Sequence, residues 1–257
     1  MKKLPIVLMY GGGRQSVTIT GLIIEGLLPV PDVTLIADTG REKETTWLYL
    51  ENYVQPAYPT KIHRVKAADW ATVDLYGGKN KDTLLIPAFT TENGSVGKMP
   101  TFCSNEWKAR VCDRFLKNEL GIKDFIAWIG FSHDEQRRIV SKRRSMGDSV
   151  WFPLSDGVPM TKQQCTEYPT KRFGWPTPVH SACYMCPLQD EDNWRQNTPA
   201  DKLRAIEFDE QMRAKDPNAF LHRTAKPMAH LYASDFKLKD SDKQEGKEPC
   251  DSGLCML

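Results

Sequence analysis

Apolar and polar positions alternate in blocks over the first half of the chain. An apolar run ends at three consecutive glycines, and apolar side chains then recur at helical intervals as far as Leu27. A later apolar run is again followed by a helical pattern, over residues 45–53. The predicted strands are residues 4–10, 33–37, 61–65 and 125–129. Strands that alternate with helices are typical of parallel sheets, so we expect an α/β fold in which helices flank a parallel twisted sheet.

The segment between the third and fourth predicted strands has two parts. Residues 77–100 are polar and contain glycine, which predicts a long loop with little regular structure. Residues 105–120 place Trp107, Val111 and Phe115 on one face, with lysine and arginine on the others. This is the pattern of an amphipathic helix.

Prolines become frequent after Trp151, where helices are predicted only at residues 161–167 and 200–214. From Asp235 onwards the chain is charged and poor in large apolar residues, which is typical of a flexible arm. We accordingly divide the chain into an α/β domain (1–150), a smaller irregular cysteine-bearing subdomain (151–234) and a C-terminal arm (235–257).

Composition and net charge limit the partners and the cellular compartment that we expect for the protein. The 257 residues carry a formal net charge of +2, so overall charge demands neither a nucleic acid nor a membrane as partner. No apolar stretch is long enough for a membrane span or a signal peptide, which predicts a cytoplasmic protein with no membrane partner. In that compartment the seven cysteines stay reduced, and they are interpreted as metal ligands, redox groups or buried thiols.

Three glycines follow the first predicted strand at the point where a helix begins. Backbone amides and the positive end of the helix dipole can meet an anion there, because glycine has no side-chain carbon to keep a phosphate away. The same arrangement also serves in an ordinary tight turn between a strand and a helix. The candidate phosphate-binding residues are Gly11, Gly12, Gly13, Arg14, Gln15 and Ser16.

A second motif ends the next predicted strand. Asp38, Thr39 and Gly40 should lie at the carboxyl edge of the same sheet, where ligands of open α/β sheets bind. Asp38 can accept hydrogen bonds from a ribose or an amino group, or help to hold a metal. It can equally cap the helix that follows.

Together these motifs resemble the PAPS (phosphoadenosine phosphosulfate) reductase-like family of the adenine nucleotide alpha hydrolase (N-type ATP pyrophosphatase) superfamily. In that family a glycine- and serine-containing phosphate loop follows the first strand. An Asp-Thr-Gly element with a later Glu-Thr follows the second strand, and Glu44-Thr45 matches that pair. The segment from Cys103 to Lys108 is similar to a family element in which a cysteine precedes a lysine on a helix.

The resemblance implies a site for an adenine nucleotide, namely PAPS, adenylylsulfate (APS) or ATP. A family element with a glycine at a strand end, then an acidic residue and arginines, is similar to the segment that begins at Gly130. The resemblance implies that the glycine loop holds the phosphates and that Asp38, Thr39, Gly40 and Gly130 help to bind the nucleotide. It further implies that Lys108, Arg137 and Arg138 hold a second anionic group.

One position departs from the family pattern. The ATP pyrophosphatase branch reads Ser-Gly-Gly-Lys-Asp-Ser in its loop, whereas this chain has Gln15 where the acidic residue is expected. A neutral amide does not balance Mg²⁺ as a carboxylate does. The departure favours the sulfonucleotide branch of the family.

Four cysteines form a candidate metal site. Cys183 and Cys186 form a C-x2-C pair that a proline follows, and such a pair directs two thiolates at one ion. Cys103 and Cys112 are candidates for the other ligands, with His180 as a substitute, yet nine residues of continuous helix would separate the Cα atoms of the two cysteines by roughly 13 Å. Either the helix starts late or one of the two is no ligand. The resemblance implies a [4Fe-4S] cluster, with zinc as the alternative and four unrelated thiols as a further one.

The C-terminal arm carries two more candidate residues, Cys250 and Cys255. The sequence around them resembles the Glu-Cys-Gly-Leu-His segment of PAPS reductases, whose cysteine attacks the sulfonate, although no histidine follows here. A reactive cysteine needs a neighbour that lowers its pKa, and an exposed tail is the alternative interpretation.

These observations predict a PAPS reductase-like enzyme in which a thiolate of the arm displaces the nucleotide from the sulfonate of an adenylylsulfate. A thiol or sulfur donor protein is then an expected partner. One alternative is an ATP-dependent adenylylating sulfurtransferase that modifies a nucleic acid, with Lys142, Arg143 and Arg144 as possible backbone contacts. A second alternative is an adenine-nucleotide-binding module without catalysis. The run of lysine and arginine is also typical of a solvated surface.

Overall fold

The structure is a computed structural model that describes residues 3–77, 81–178 and 180–234. In chain order its strands are β1 (Ile6–Met9), β2 (Val33–Asp38), β3 (Ile62–Lys66), β4 (Tyr76–Gly77), β5 (Thr83–Leu84), β6 (Phe89–Thr90), β7 (Gly97–Lys98), β8 (Ile126–Ile129), β9 (Val150–Trp151) and β10 (Ala219–Phe220). Its α-helices are α1 (Arg14–Ile24), α2 (Glu44–Tyr49), α3 (Gln55–Ala57), α4 (Ala67–Trp70), α5 (Arg110–Asn118), α6 (Gln136–Met146), α7 (Lys162–Phe173), α8 (Glu191–Arg195), α9 (Pro199–Lys215) and α10 (Met228–Leu231).

Five strands form a parallel sheet in the order β3-β2-β1-β8-β9. From β1 the chain first adds β2 and β3 on one side, and it later adds β8 and β9 on the other side. The expectation of an α/β fold with a parallel sheet flanked by helices is therefore confirmed. All four predicted strands lie within this sheet, and β9 extends it by one short strand.

Alternate side chains of the strands enter two different parts of the core, because successive side chains of a strand point to opposite faces. Val7 and Leu35 belong to a cluster that includes residues of α5 and α9. Leu8 and Ile36 belong to a second cluster, which includes residues of α1, α2 and α7. Both faces of the sheet are thus covered by helices.

Helix α7 packs closely on α1. A Cβ atom at Gly21 would lie 2.9 Å from ring atoms of Tyr168 and Phe173, so only glycine allows this approach. The predicted helix at 161–167 continues to Phe173, although Pro169 lies inside it. Proline has no N–H for the carbonyl of Cys165, and that oxygen instead lies 3.0 Å from the Thr18 hydroxyl, whose single hydrogen it shares with the Arg14 carbonyl at 2.9 Å. The neighbouring helix therefore satisfies the group that the proline leaves open.

The segment between β3 and β8 contains more regular structure than the sequence predicts. In residues 77–100, β4 pairs with β5 and β6 pairs with β7, so the expected unstructured loop is replaced by short antiparallel pairs. Strand β10 joins β6 from the far end of the described chain. Such two-residue strands have too little periodicity to be recognised without their partners. In the described part of the chain, no helix is both long and apolar enough to span a bilayer.

Candidate functional site

The carboxyl ends of β1, β2 and β8 meet where the strand order reverses. This position is the usual ligand site of open α/β sheets. Gly130 brings the end of β8 close to the glycine loop, since a Cβ there would lie 3.5 Å from both the Gln15 Cβ and the Ser16 backbone nitrogen. The first two motifs of the sequence and the β8 element therefore share one edge of the sheet.

The glycine loop is closed by its own serine. The Gly11 amide donates a 2.9 Å hydrogen bond to the Ser16 hydroxyl, and Gly12 has a φ of +76°. Gly13 precedes the first turn of α1 and has no side chain that could cap it. The Arg14 guanidinium reaches the Pro178 carbonyl at 3.4 Å. The start of α1 therefore has no side-chain cap, and the predicted binding of a phosphate there stays a prediction.

A buried carboxylate that sequence reasoning did not select lies beside this loop. Glu135 accepts hydrogen bonds from the Ser132 amide and hydroxyl, from Arg138 at 2.6 Å and from the Gln15 amide group at 3.2 Å. Burial would raise the pKa of Glu135, but the hydrogen bonds from Arg138 and Ser132 outweigh it and leave the pKa below its usual value. The Ser-x-x-Glu spacing at the strand end was the available signal.

The two arginines of the β8 element differ in their surroundings. Arg138 pairs with Glu135 and lies 4.0 Å over the Phe131 ring, so part of its charge is used inside the protein. Arg137 is exposed on α6. Their predicted role in holding an anionic group stays a prediction.

Asp38 organises the loop at the end of β2. Its carboxylate accepts hydrogen bonds from the Gly40 amide at 2.8 Å and from Arg64 at 2.7 Å. The Arg64 guanidinium in turn lies 3.7 Å over the Trp47 ring. These contacts, rather than a helix cap, account for the buried carboxylate in this structure.

Thr39, Glu42 and Lys108 form a second cluster at the same edge. The Thr39 amide and hydroxyl each donate to the buried Glu42 carboxylate at 2.9 Å, and the Lys108 ammonium lies 3.7 Å from it. Lys108 belongs to a π-helical turn, Ser104–Ala109, that precedes α5. Burial would lower the pKa of Lys108, but Cys183 and Glu42 outweigh it and raise the pKa above its usual value.

The cysteine-bearing segment pairs directly with this loop. Glu42 and Cys183 form an antiparallel bridge, and the Tyr184 amide donates to the Arg41 carbonyl at 2.8 Å. The Thr39 hydroxyl lies 3.8 Å from the Cys183 sulfur. The C-x2-C pair is therefore held at the carboxyl edge of the sheet, more than 140 positions away in sequence from its partners.

Among the four candidate metal ligands, Cys186 lies within electrostatic range of both Cys103 and Cys183. Burial raises the pKa of Cys103 to about 11 and that of Cys183 to about 12, and in both cases the Cys186 thiol adds to the effect. Lys108 interacts electrostatically with all three of these thiols. Without a metal they are therefore neutral near pH 7.

Cys112 lies apart from this group. Burial raises its pKa to about 12, and the nearby Asp113 charge adds to this increase. The side chain packs in the core on α5. Helical structure begins at Ser104, so it does not start late and the separation of roughly 13 Å between Cys103 and Cys112 persists. Of the two, Cys103 is placed to act with the C-x2-C pair.

The candidate cysteine ligands are not arranged as a metal site in this structure. Across residues 3–77, 81–178 and 180–234, no group of three or more His, Cys, Asp or Glu side chains stands in an arrangement that could hold a metal ion. Metal binding would also have to remove protons from the three thiols. The four-cysteine site therefore stays a prediction, whereas Cys165 is fully buried in the core.

A cavity of about 280 Å³ opens beside the glycine loop. It lies between the sheet and two helices, α5 and α6, and apolar side chains make up most of its lining. Gly11 borders both this cavity and the glycine loop. Its lining residues are Met9, Tyr10, Gly11, Leu35, Ile36, Ala37, Glu42, Asn105, Lys108, Ala109, Cys112, Asp113, Phe125, Ala127, Ile129, Lys142 and Met146.

A second cavity, of about 440 Å³, borders the loop after β2. Its charged lining includes Asp38, Arg64, Asp201 and Arg204. Cys250 and Cys255 lie outside the described residues, so the arm's predicted role is not placed relative to either cavity. No protein-family model and no curated protein matches the chain. A function for this site therefore has to be argued from its own residues.

Proposed function

We propose that the protein binds an adenine nucleotide at the carboxyl edge of the sheet and acts on an adenylylsulfate in a PAPS reductase-like reaction. The observation that carries the proposal is the cavity that shares Gly11 with the glycine loop. A largely apolar cavity suits a nucleobase, and the adjoining start of α1 suits its phosphates.

Lys108 is the residue best placed for the second anionic group. It lines the cavity, belongs to the helix that follows Cys103, and keeps its charge because the buried Glu42 carboxylate lies 3.7 Å from its ammonium group. A charge-assisted hydrogen bond from its ammonium would bind a sulfonate or phosphate oxygen. Such a donor would also stabilise negative charge that develops on the leaving nucleotide.

The nucleophile is assigned to the arm. Displacement at sulfur requires a thiolate, whereas the raised pKa values of Cys103 and Cys183 keep both thiols protonated near pH 7. We therefore assign the attack to Cys250 or Cys255. The thiolate sulfur would bond to the sulfonate sulfur, and the nucleotide would leave with the electron pair of the broken S–O bond. A second thiolate, from the thiol reductant or donor protein, would then attack the cysteine sulfur and form a disulfide, and sulfite would leave with the electron pair of the broken S–S bond.

A metal is a separate part of the proposal. Cys103, Cys183 and Cys186 are the residues that would hold a [4Fe-4S] cluster or zinc, after they lose their protons. A cluster would supply redox or sulfur chemistry, and zinc would supply structural stability.

Sulfite release tests the proposal. The full chain, purified without oxygen, is incubated with PAPS or APS and a thiol reductant, and sulfite and free nucleotide are measured together. We expect equal amounts of both products, loss of sulfite in a Cys250→Ser/Cys255→Ser double variant, and at least a hundredfold lower rate for Lys108→Met. The exposed Lys117→Met variant on α5 serves as the control. Nucleotide binding without sulfite release would contradict the reductase assignment.

A second candidate is the ATP-dependent sulfurtransferase that modifies a nucleic acid. The observation that favours it is Glu135, whose carboxylate lies 3.2 Å from Gln15 and so returns an acidic group to the place where the loop lacks one. This candidate predicts pyrophosphate release from ATP that a nucleic acid stimulates. Pyrophosphate release from ATP, measured with and without RNA, therefore separates this candidate from the reductase.

A further inference from the structure

The cavity beside the glycine loop has apolar side chains on its sheet side and charged side chains on its helix side. The strands contribute apolar side chains, including Met9, Leu35 and Ala127. Lys108 and Glu42 stand near the carboxyl edge, where the glycine loop also lies. Asp113 follows Lys108 by five helical positions, about 7.5 Å farther along the helix axis. The helical wall therefore carries a second polar region away from the phosphate end.

Asp113 and Lys142 form this second region. Asp113 on α5 is exposed and Lys142 on α6 is half-buried, and both border the cavity. The two charges influence one another. Burial raises the pKa of Asp113, an effect that Arg114 and then Lys142 oppose, while burial and Arg138 lower the pKa of Lys142, an effect that Asp113 opposes. Within the described residues no ion pair of 4.0 Å or less joins the two side chains. A hydrogen-bond acceptor and a donor thus face one cavity without satisfying each other.

We propose that Asp113 and Lys142 read the polar edge of the purine and select adenine. Along its Watson–Crick edge adenine presents the N6 amino group, a donor, beside N1, an acceptor. The Asp113 carboxylate would accept from the N6 amino group, and the Lys142 ammonium would donate to N1, which in hypoxanthine carries a hydrogen and cannot accept. Hypoxanthine has a carbonyl oxygen in place of the amino group, and this oxygen would face the Asp113 carboxylate. The inference rests on the proposed nucleotide site and adds its base specificity.

Binding of ADP and IDP to the full chain tests this inference, because the two nucleotides differ only in the base. Calorimetric titration of the wild type should give at least tenfold tighter binding of ADP, the ratio expected from one charge-assisted hydrogen bond. In Asp113→Asn the amide can donate to the hypoxanthine oxygen, so the ratio should fall towards one. In Lys142→Met the affinity for ADP should fall about tenfold or more, and the affinity for IDP should fall less.

Two exposed residues that do not line the cavity provide matched controls, Lys117→Met and Glu119→Gln. Both should keep the wild-type ratio. Thermal unfolding checks that each variant folds, and Asp113→Ser serves as a second substitution if Asp113→Asn does not. A wild-type preference for ADP that Asp113→Asn leaves unchanged would overturn the inference, as would an equal loss of both nucleotides in Lys142→Met. Failure of the wild type to bind either nucleotide would overturn the proposed nucleotide site as well.

Discussion

Gly12 shows how a single residue couples the glycine loop to its surroundings. Its φ of +76° favours glycine, and a Cβ there would lie 2.6 Å from the Thr46 Cγ2 on α2. Gly12→Ala should therefore lower the free energy of unfolding twice over, by about 1–2 kcal/mol through the backbone and by about 1–3 kcal/mol through crowding of a buried side chain. Guanidinium unfolding measures the sum.

Gly121→Ala is the matched control for this substitution. Gly121 has a φ of +69°, but no atom lies within 4 Å of its added Cβ. Only the backbone penalty should appear, so Gly12→Ala should cost about 1–3 kcal/mol more than Gly121→Ala. Equal losses for the two variants would mean that the loop does not press on α2.

Lys43 is a second residue with a measurable effect, and its sign depends on pH. Its side chain is buried, and burial lowers its pKa to about 8, although Asp201 opposes that effect. Below pH 8 the folded protein holds a buried charge that the unfolded chain exposes to water. Lys43→Met should therefore raise the free energy of unfolding at pH 7, by an amount on the order of 3 kcal/mol.

This gain should disappear at high pH. Between about pH 8 and the unfolded value of 10.5, the folded lysine is neutral while the unfolded lysine still binds a proton, so wild-type stability rises through that range. Urea unfolding of the metal-free protein at pH 7, 8.5 and 10 measures the difference between the variant and the wild type. Lys61→Met, on an exposed lysine, is the control. A difference that does not change with pH would contradict the buried charge.

At the scale of elements, periodicity located the main strands and helices but not their contacts. Helix α6 was missed, since its run of arginine and lysine was interpreted as charge alone. The end of α7 was placed too early because Pro169 normally stops a helix, and only the Thr18 hydroxyl on another helix satisfies the open carbonyl. Both errors arise because contacts with a neighbouring element, and not the local sequence, stabilise these helices.

Helix geometry also decides which cysteines share a site. Because helical structure runs from Ser104 to the end of α5, Cys112 is turned into the core while Cys103 stays with Cys183 and Cys186. We expect Cys103→Ser, Cys183→Ser and Cys186→Ser each to lose bound iron or zinc. Cys112→Ser should retain it. Metal analysis and absorbance spectra of protein purified without oxygen measure both.

The core thiol Cys165 supplies a control for this series, since Cys165→Ser changes a cysteine on α7, outside the candidate metal site. It should keep the metal content of the wild type. Metal loss in Cys112→Ser with full retention in Cys103→Ser would reverse the assignment of the third ligand.

At the scale of the whole molecule, the sequence predicted which motifs meet at the sheet edge, because parallel strands end on the same side. It did not predict that Glu42 pairs with Cys183 or that Gln15 meets Glu135, contacts that join residues more than 100 positions apart. Such contacts depend on how the later segment packs on the sheet. No local pattern encodes that packing.

The same packing makes the later segment part of the core. One cluster joins Val7 and Leu35 of the sheet with Trp194 and Phe208, and α7 covers α1 at Gly21. The boundary predicted at residue 150 therefore marks a change in amino-acid composition, while the buried side chains on its two sides pack in one cluster. Removing residues 151–234 would expose apolar side chains on both faces of the sheet.

A fragment of residues 1–150 should consequently fail to fold cooperatively. Each large apolar side chain that loses its cover forfeits about 1.5–3 kcal/mol, and a few such losses exceed the 5–15 kcal/mol that stabilises a typical domain. A fragment of residues 1–234 should unfold in one transition like the full chain. Near-ultraviolet circular dichroism and thermal unfolding distinguish the two fragments. A sharp transition in the shorter fragment would show that the sheet and its own helices form an independent domain.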